Sequence, residues 1–110
     1  MKPIKFHGDS LERLKLLPEP VKKRAGYQLW LVQNGKDPVD WKSFSSVGKG
    51  VKEIRIRYKG QYRIIYIAKL RDAVHVLNVF QKKTGKTPRR EIALARERLK
   101  EITDGKQRIP

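Results

Sequence analysis

The chain contains no cysteine, only two histidines and only 11 acidic residues among 110. The missing cysteines exclude disulfide frameworks, thiolate zinc sites and cysteine nucleophiles, and nothing points to an oxidising compartment. No apolar run approaches the ~20 residues that span a bilayer. Ile64-Ile65-Tyr66-Ile67-Ala68, among the longest, has the length of a strand. Met1-Lys2-Pro3-Ile4-Lys5 leads into no apolar core of a signal peptide. A cytoplasmic protein without a membrane partner is therefore expected. The sequence also lacks histidine–carboxylate metal spacing, a phosphate-cradling glycine loop and paired carboxylates, so no metal and no small-molecule cofactor are expected.

Positive charge is what the chain has in excess: 27 Lys and Arg give a net charge of +16. Self-repulsion of that size opposes compaction and is relieved by an anionic partner. Nucleic acid is the first candidate, because a duplex presents one phosphate charge per ~1.7 Å. An acidic protein or an anionic membrane surface satisfies the same arithmetic, so the placement of the basic residues has to decide. At this length one domain spanning residues 1–110 is expected.

Periodicity predicts the order strand, helix, helix, strand, strand, strand, helix, an α+β fold. Lys2–Phe6 reads as a short edge strand because Pro3 lacks an amide donor. Asp9 or Ser10 offers an N-cap for a helix carrying Leu11, Leu14 and Leu17 and stopped by Pro18. Val21, Ala25, Leu29 and Val32 mark a second helix ended by Asn34-Gly35. Residues 35–50 read as a loop in which Trp41 and Phe44 cover the core in preference to stacking on bases. A three-strand antiparallel meander follows. A three-residue Lys59-Gly60-Gln61 connection sets Arg57 opposite Arg63, and an Arg71-Asp72 turn sets Arg63 opposite Phe80 and Ile65 opposite Asn78. Thr87-Pro88 opens a last helix with the stripe Ile92, Ala95, Leu99 and Ile102. Asp104-Gly105 is read as its end, with 103–110 a frayed tail.

In this reading the first two helices cover the Ile54/Ile56/Ile64/Tyr66/Leu77/Val79 face, which also takes His75. The opposite face carries Arg55, Arg57, Arg63, Asn78, Phe80 and Lys82. Charged residues often do no more than solvate an open sheet face. Clustered guanidinium groups also suit phosphate, and RNA brings its own nucleophile in the 2′-OH. A base for the 2′ proton, cations for the phosphorane and an acid for the 5′ oxygen then suffice without metal. Arginine is a poor base because it stays protonated, whereas Lys82, Lys83 or Lys86 can carry a proton-transfer role. His75 reads as a structural strand residue and His7 as a surface histidine.

Val51-Lys52-Glu53-Ile54-Arg55-Ile56, Gly60-Gln61-Tyr62-Arg63-Ile64-Ile65-Tyr66, and Phe80-Gln81-Lys82-Lys83-Thr84 through Thr87-Pro88, Glu91-Ile92 and Ala95 resemble the phage-derived, HigB-like branch of the RelE/ParE toxin superfamily. The resemblance covers about residues 1–102. It implies a RelE-like fold and a type II toxin that cuts mRNA on the ribosome and is silenced by a cognate acidic helix-turn-helix antitoxin. By the same resemblance Arg63 matches a phosphate-contacting arginine, Arg55 the arginine of the preceding strand, and Lys82 and Lys83 lie where relatives carry strand-end catalytic residues. The Asp-Tyr-His type of ending seen in some HigB proteins is missing here. Arg57, Lys86, Arg89, Arg90, Lys22 and Lys23 are expected to contact nucleic acid. A ParE-like gyrase poison and a non-catalytic basic RNA-binding module are the alternatives.

Overall fold

The computed structural model describes residues 1–83 and 85–107. The elements are β1 (Ile4–Phe6), α1 (Ser10–Lys15), α2 (Glu19–Gln33), β2 (Trp41–Ser43), β3 (Val51–Arg57), β4 (Gln61–Ile67), β5 (Val74–Lys82) and α3 (Arg89–Gln107). They build an α+β fold around one mixed sheet of order β1-β5-β4-β3-β2, with β1 parallel to β5 and the other pairs antiparallel. The expected order holds with one strand added. β2 lies inside the segment read as a loop: its three residues are too few for visible alternation, and pairing with β3 makes it a strand.

Both sheet faces are covered. Val21, Ala25, Leu29 and Val32 of α2 pack with Ile54, Ile56, Ile64, Tyr66 and Val79, and Leu14 and Leu17 close the flank. On the other side Ala95, Ile92, Leu99 and Ile102 of α3 meet Val51, Ile65, Ile67, Leu77 and Phe80, with Val47 and Phe44 of the β2–β3 loop. Phe44 thus lies on a core as expected. The second core corrects the view of an open basic face, because Phe80 and half of that face are dry. α3 also runs through Asp104-Gly105 to Gln107, so the expected helix end at Asp104-Gly105 is wrong; 108–110 lie outside the described residues.

Two register details differ from expectation. β3 and β4 are joined by Tyr58-Lys59-Gly60, which sets Arg55 opposite Arg63 and Arg57 opposite Gln61. The slip is of two residues, so every side chain keeps its face. Between β4 and β5, Arg63 pairs with Phe80 and Ile65 with Asn78 as expected, but Tyr66 pairs with Val76. Leu77 is the extra residue of this bulge. It reverses the alternation toward the N-terminus of β5, moving Leu77 and His75 to the α3 face. His75 is buried and bonds His7 (Nδ1···Nε2 2.8 Å) and Asp72 (3.1 Å).

β1 pairs only with Val74–Val76, so the outer edge of β5 is bare beyond them. Two arginines finish it. Arg98 Nη1 donates to Leu77 O at 2.9 Å and Arg13 Nη1 to Val79 O at 3.3 Å, and Asp9 takes Arg13 Nε (2.9 Å) and Arg98 Nη2 (2.8 Å). Asp9 therefore holds α1 and α3 together and makes no side-chain cap bond to its own helix. Fully buried Asn78 fixes the bulge: its Nδ2 donates to Glu91 O and Oε1 at 3.0 Å, and its Oδ1 accepts from Val79 N at 2.9 Å. Removing that side chain orphans several buried groups, so Asn78→Ala is expected to lower stability by about 2–4 kcal/mol in urea unfolding. A loss below about 0.5 kcal/mol would show that the network does not hold the bulge.

The histidine pair adds a pH dependence. Burial lowers the His7 pKa below its usual 6.5, and His75, Lys5 and Arg98 lower it further. A lowered folded value means that the unfolded chain takes up more protons below pH 6.5, so stability complete above that pH is lost as it falls. Unfolding midpoints at pH 7.5 and 5.5 should show this fall, and His7→Gln should reduce it; an unchanged slope in the variant would exclude His7 as its source.

Candidate nucleic-acid interface

α3 and the β2–β3 loop stop short of the β3–β4 hairpin end of the sheet, and there the polar residues of the α3 face collect. Alternation along β3 brings Glu53, Arg55 and Arg57 to this face, and β4 adds Arg63 between Arg55 and Phe80. Arg63 is 3% exposed. Its Nη2 donates to Gln61 Oε1 (2.8 Å), its Nη1 to Tyr62 O (3.2 Å), and its Nε stands 3.6 Å from Glu53 Oε1 without a hydrogen bond. Burial lowers the Arg63 pKa, Glu53 opposes this, and Arg55 and Arg57 add to the lowering. The group starts so far above neutrality that it remains a cation.

Glu53 is 5% exposed and is the acidic residue that β3 contributes to this face. It opens into a cleft of about 290 Å³ with Lys42, Ser43, Ser45, Lys82 and Thr87. Lys42 comes from β2, directly opposite Glu53. Arg55 is drawn toward the β2 side by Asp40, whose Oδ1 accepts from its Nε (3.1 Å) and Nη2 (2.9 Å). Arg57 is exposed at the hairpin end. A carboxylate on the floor, a buried guanidinium beside it and ammonium groups at the rim form an arrangement able to accept a proton and hold a phosphate in one place.

The expected site residues divide accordingly. Arg55, Arg57, Arg63 and Lys82 share the face, although the neighbour of Arg63 is Arg55 and not Arg57. Lys83 lines a different cleft, with Arg13, Leu17, Phe80 and Arg90, beside α1. Lys86, Arg89 and Arg90 are exposed around the start of α3. Lys22 and Lys23 lie on α2, across the sheet from Arg63, and Lys22 pairs with Glu19 at 3.3 Å. Both histidines sit at the far end of β5 from Arg63. Sequence reasoning passed over Glu53 and Lys42. Alternation along Glu53–Arg57, which puts Glu53 on the face of Arg55 and Arg57, is a usable signal for it, while Lys42 was hidden by the unseen β2. Among the described residues no cluster of three or more His, Cys, Asp or Glu is placed to hold a metal ion.

The family described as Phage derived protein Gp49-like (DUF891) matches residues 12–100, a span from α1 into α3 that includes every residue of this cleft. The chain belongs to the Gp49-like family. A search of curated proteins found no match. Gp49-like proteins are a toxin-like family of toxin–antitoxin systems. In this Gp49-like chain, no helix of the described residues is long and apolar enough to cross a membrane.

The burial of the Glu53–Arg63 pair has a consequence for mutagenesis. Arg63→Met leaves a buried carboxylate without its cation and is expected to cost about 3–5 kcal/mol in urea unfolding. Adding Glu53→Gln should recover at least about 1 kcal/mol of this loss. Strict additivity of the two changes would show that the residues do not interact.

Proposed function

We propose that this Gp49-like protein is the toxin of a type II toxin–antitoxin pair, of the HigB-like kind, and a ribosome-dependent endoribonuclease acting on mRNA in the cytoplasm. The observation that carries the reading is buried Glu53 in a cleft that Lys42 and Lys82 also line, with the buried Arg63 guanidinium paired to it from beside the cleft. Glu53 takes the 2′-OH proton. The freed oxygen attacks the adjacent phosphorus, Arg63 exchanges its Gln61 contact for a phosphate oxygen, and Arg55 supports the growing charge. The P–O5′ bond breaks as the Lys82 ammonium delivers a proton to the leaving oxygen. A 2′,3′-cyclic phosphate and a 5′-hydroxyl result. Neither an added nucleophile nor a metal is needed for this sequence of steps.

Lys86, Arg89 and Arg57 near the cleft, and Lys83 and Arg90 at the neighbouring one beside α1, fit the role of phosphate contacts, each adding about one unit to the salt slope of binding. The silencing partner is an acidic helix-turn-helix antitoxin, which suits a chain of +16 and should associate faster at low salt.

Single-turnover cleavage on programmed ribosomes at saturating protein tests the assignments. Glu53→Gln and Lys82→Ala should each slow cleavage by roughly 10²–10³ while ribosome binding is kept, and Lys83→Ala should stay within about twofold. Undiminished cleavage by Glu53→Gln, in protein shown to be folded, would remove the proposed base.

A further inference from the structure

The largest exposed aromatic surface lies on α2, away from the cleft. Tyr27 and Trp30 are 55% and 48% exposed, and their rings stack with centroids 6.1 Å apart and planes inclined by 24°. Val39, 75% exposed, stands beside them and is tied to α2 by Val39 N donating to Gln28 Oε1 at 2.7 Å. A groove between Tyr27, Gln28 and Val39, beside the Tyr27–Trp30 stack, is flanked by Lys23 and Arg24. Arg24 lies 5.5 Å from the centroid of the Tyr58 ring and donates to Arg57 O at 2.8 Å, and Lys59 lies over the same ring.

Gly26 is a second, independent feature of this face. It occupies the interior of α2, one turn before Trp30, where alanine would make a more stable helix. Its φ is not positive, and a Cβ placed there meets nothing within 4 Å, so no contact inside the protein calls for glycine. The bare backbone leaves room beside the two rings for something that approaches closely from outside.

We propose that the Gly26–Tyr27–Trp30 face of α2 is a stacking platform for single-stranded RNA, with Lys23, Arg24 and Lys59 holding the phosphates on either side of the stacked base. Exposed rings accept bases of any sequence, and flanking cations follow the backbone. A second copy of the chain does not suit the surface, because two chains of +16 repel. Arg24 bonds the backbone of β3 at Arg57, so the platform lies against the strand whose opposite face carries the cleft. The inference deepens the nuclease reading by giving the substrate a second handle. It is tested with RNA that cannot be cut, so its failure leaves that reading standing.

The test uses the full chain in a Trp41→Phe background, in which Trp30 is the sole tryptophan, with a short 2′-O-methyl oligonucleotide as probe and heparin as a polyanion without bases. The oligonucleotide should quench Trp30 emission and heparin should not. Trp30→Leu, read by anisotropy of a labelled probe, should weaken oligonucleotide binding by about 5–100-fold and leave heparin binding unchanged. Gly26→Ala should raise the melting midpoint by about 2–6 °C and still weaken oligonucleotide binding, a combination that damage to the fold cannot produce. Quenching by heparin equal to that by the oligonucleotide, or unaltered affinity in both Trp30→Leu and Gly26→Ala, would overturn the proposal. Absence of any quenching by the oligonucleotide would do the same and leave the face to an acidic protein segment.

Discussion

One extra residue in β5 governs the arrangement of the molecule. Leu77 has no partner on β4, and the bulge it creates divides β5 into two stretches of opposite facing. Without it, Leu77 and His75 would face α2, and α3 would lose a central contact of its own core. The insertion is held by Asn78, and through Asn78 and the neighbouring carbonyls by Arg13 and Arg98. These link α1, α3 and the otherwise bare sheet edge. A strand edge is normally open to pairing with another chain. Here guanidinium groups fill part of the row that β1 is too short to cover.

Docking α3 in this way confines the polar end of the sheet to a small cleft. A buried ion pair such as Glu53–Arg63 is a poor source of stability, since two desolvation penalties offset its attraction. Hydrophobic residues at both positions would extend the second core without strain on the pattern of the strands. In the proposed reading the pair instead supplies a proton acceptor and a cation in fixed relation, both largely buried and with lysine and arginine nearby. Such preorganisation strengthens electrostatic stabilisation where charge develops. The +16 of the chain then has two parts: a few cations with defined partners in or near the cleft, such as Arg55 on Asp40, and a larger exposed set that attracts polyanions at longer range.

Most of the architecture was legible in the sequence because its signals are local. The Val21/Ala25/Leu29/Val32 stripe, the alternation from Glu53 to Arg57 and the α3 stripe each follow a period that one element imposes on itself. What escaped was set by tertiary contact. β2 exists through its bonds to β3, the bulge through Asn78 and its partners, and the extension of α3 past Gly105 against the usual meaning of Asp-Gly. The face of Arg55, Arg57, Arg63 and Lys82 was readable because a slip of two residues preserves sidedness. That Arg63 is buried and paired was not readable, since alternation says which face a residue takes and not what covers that face.

The chemistry proposed for the cleft is tested most directly by the ends that it would leave. If Glu53 takes the 2′ proton over Arg63, each cut made in mRNA on programmed ribosomes carries a 2′,3′-cyclic phosphate upstream and a 5′-hydroxyl downstream. A single 2′-deoxy substitution at the cut position then abolishes the cut. End-group analysis of the fragments distinguishes this from attack by water: cyclic phosphate with 5′-hydroxyl is the predicted result, and 3′-hydroxyl with 5′-phosphate, or cleavage that survives the 2′-deoxy substitution, would contradict it.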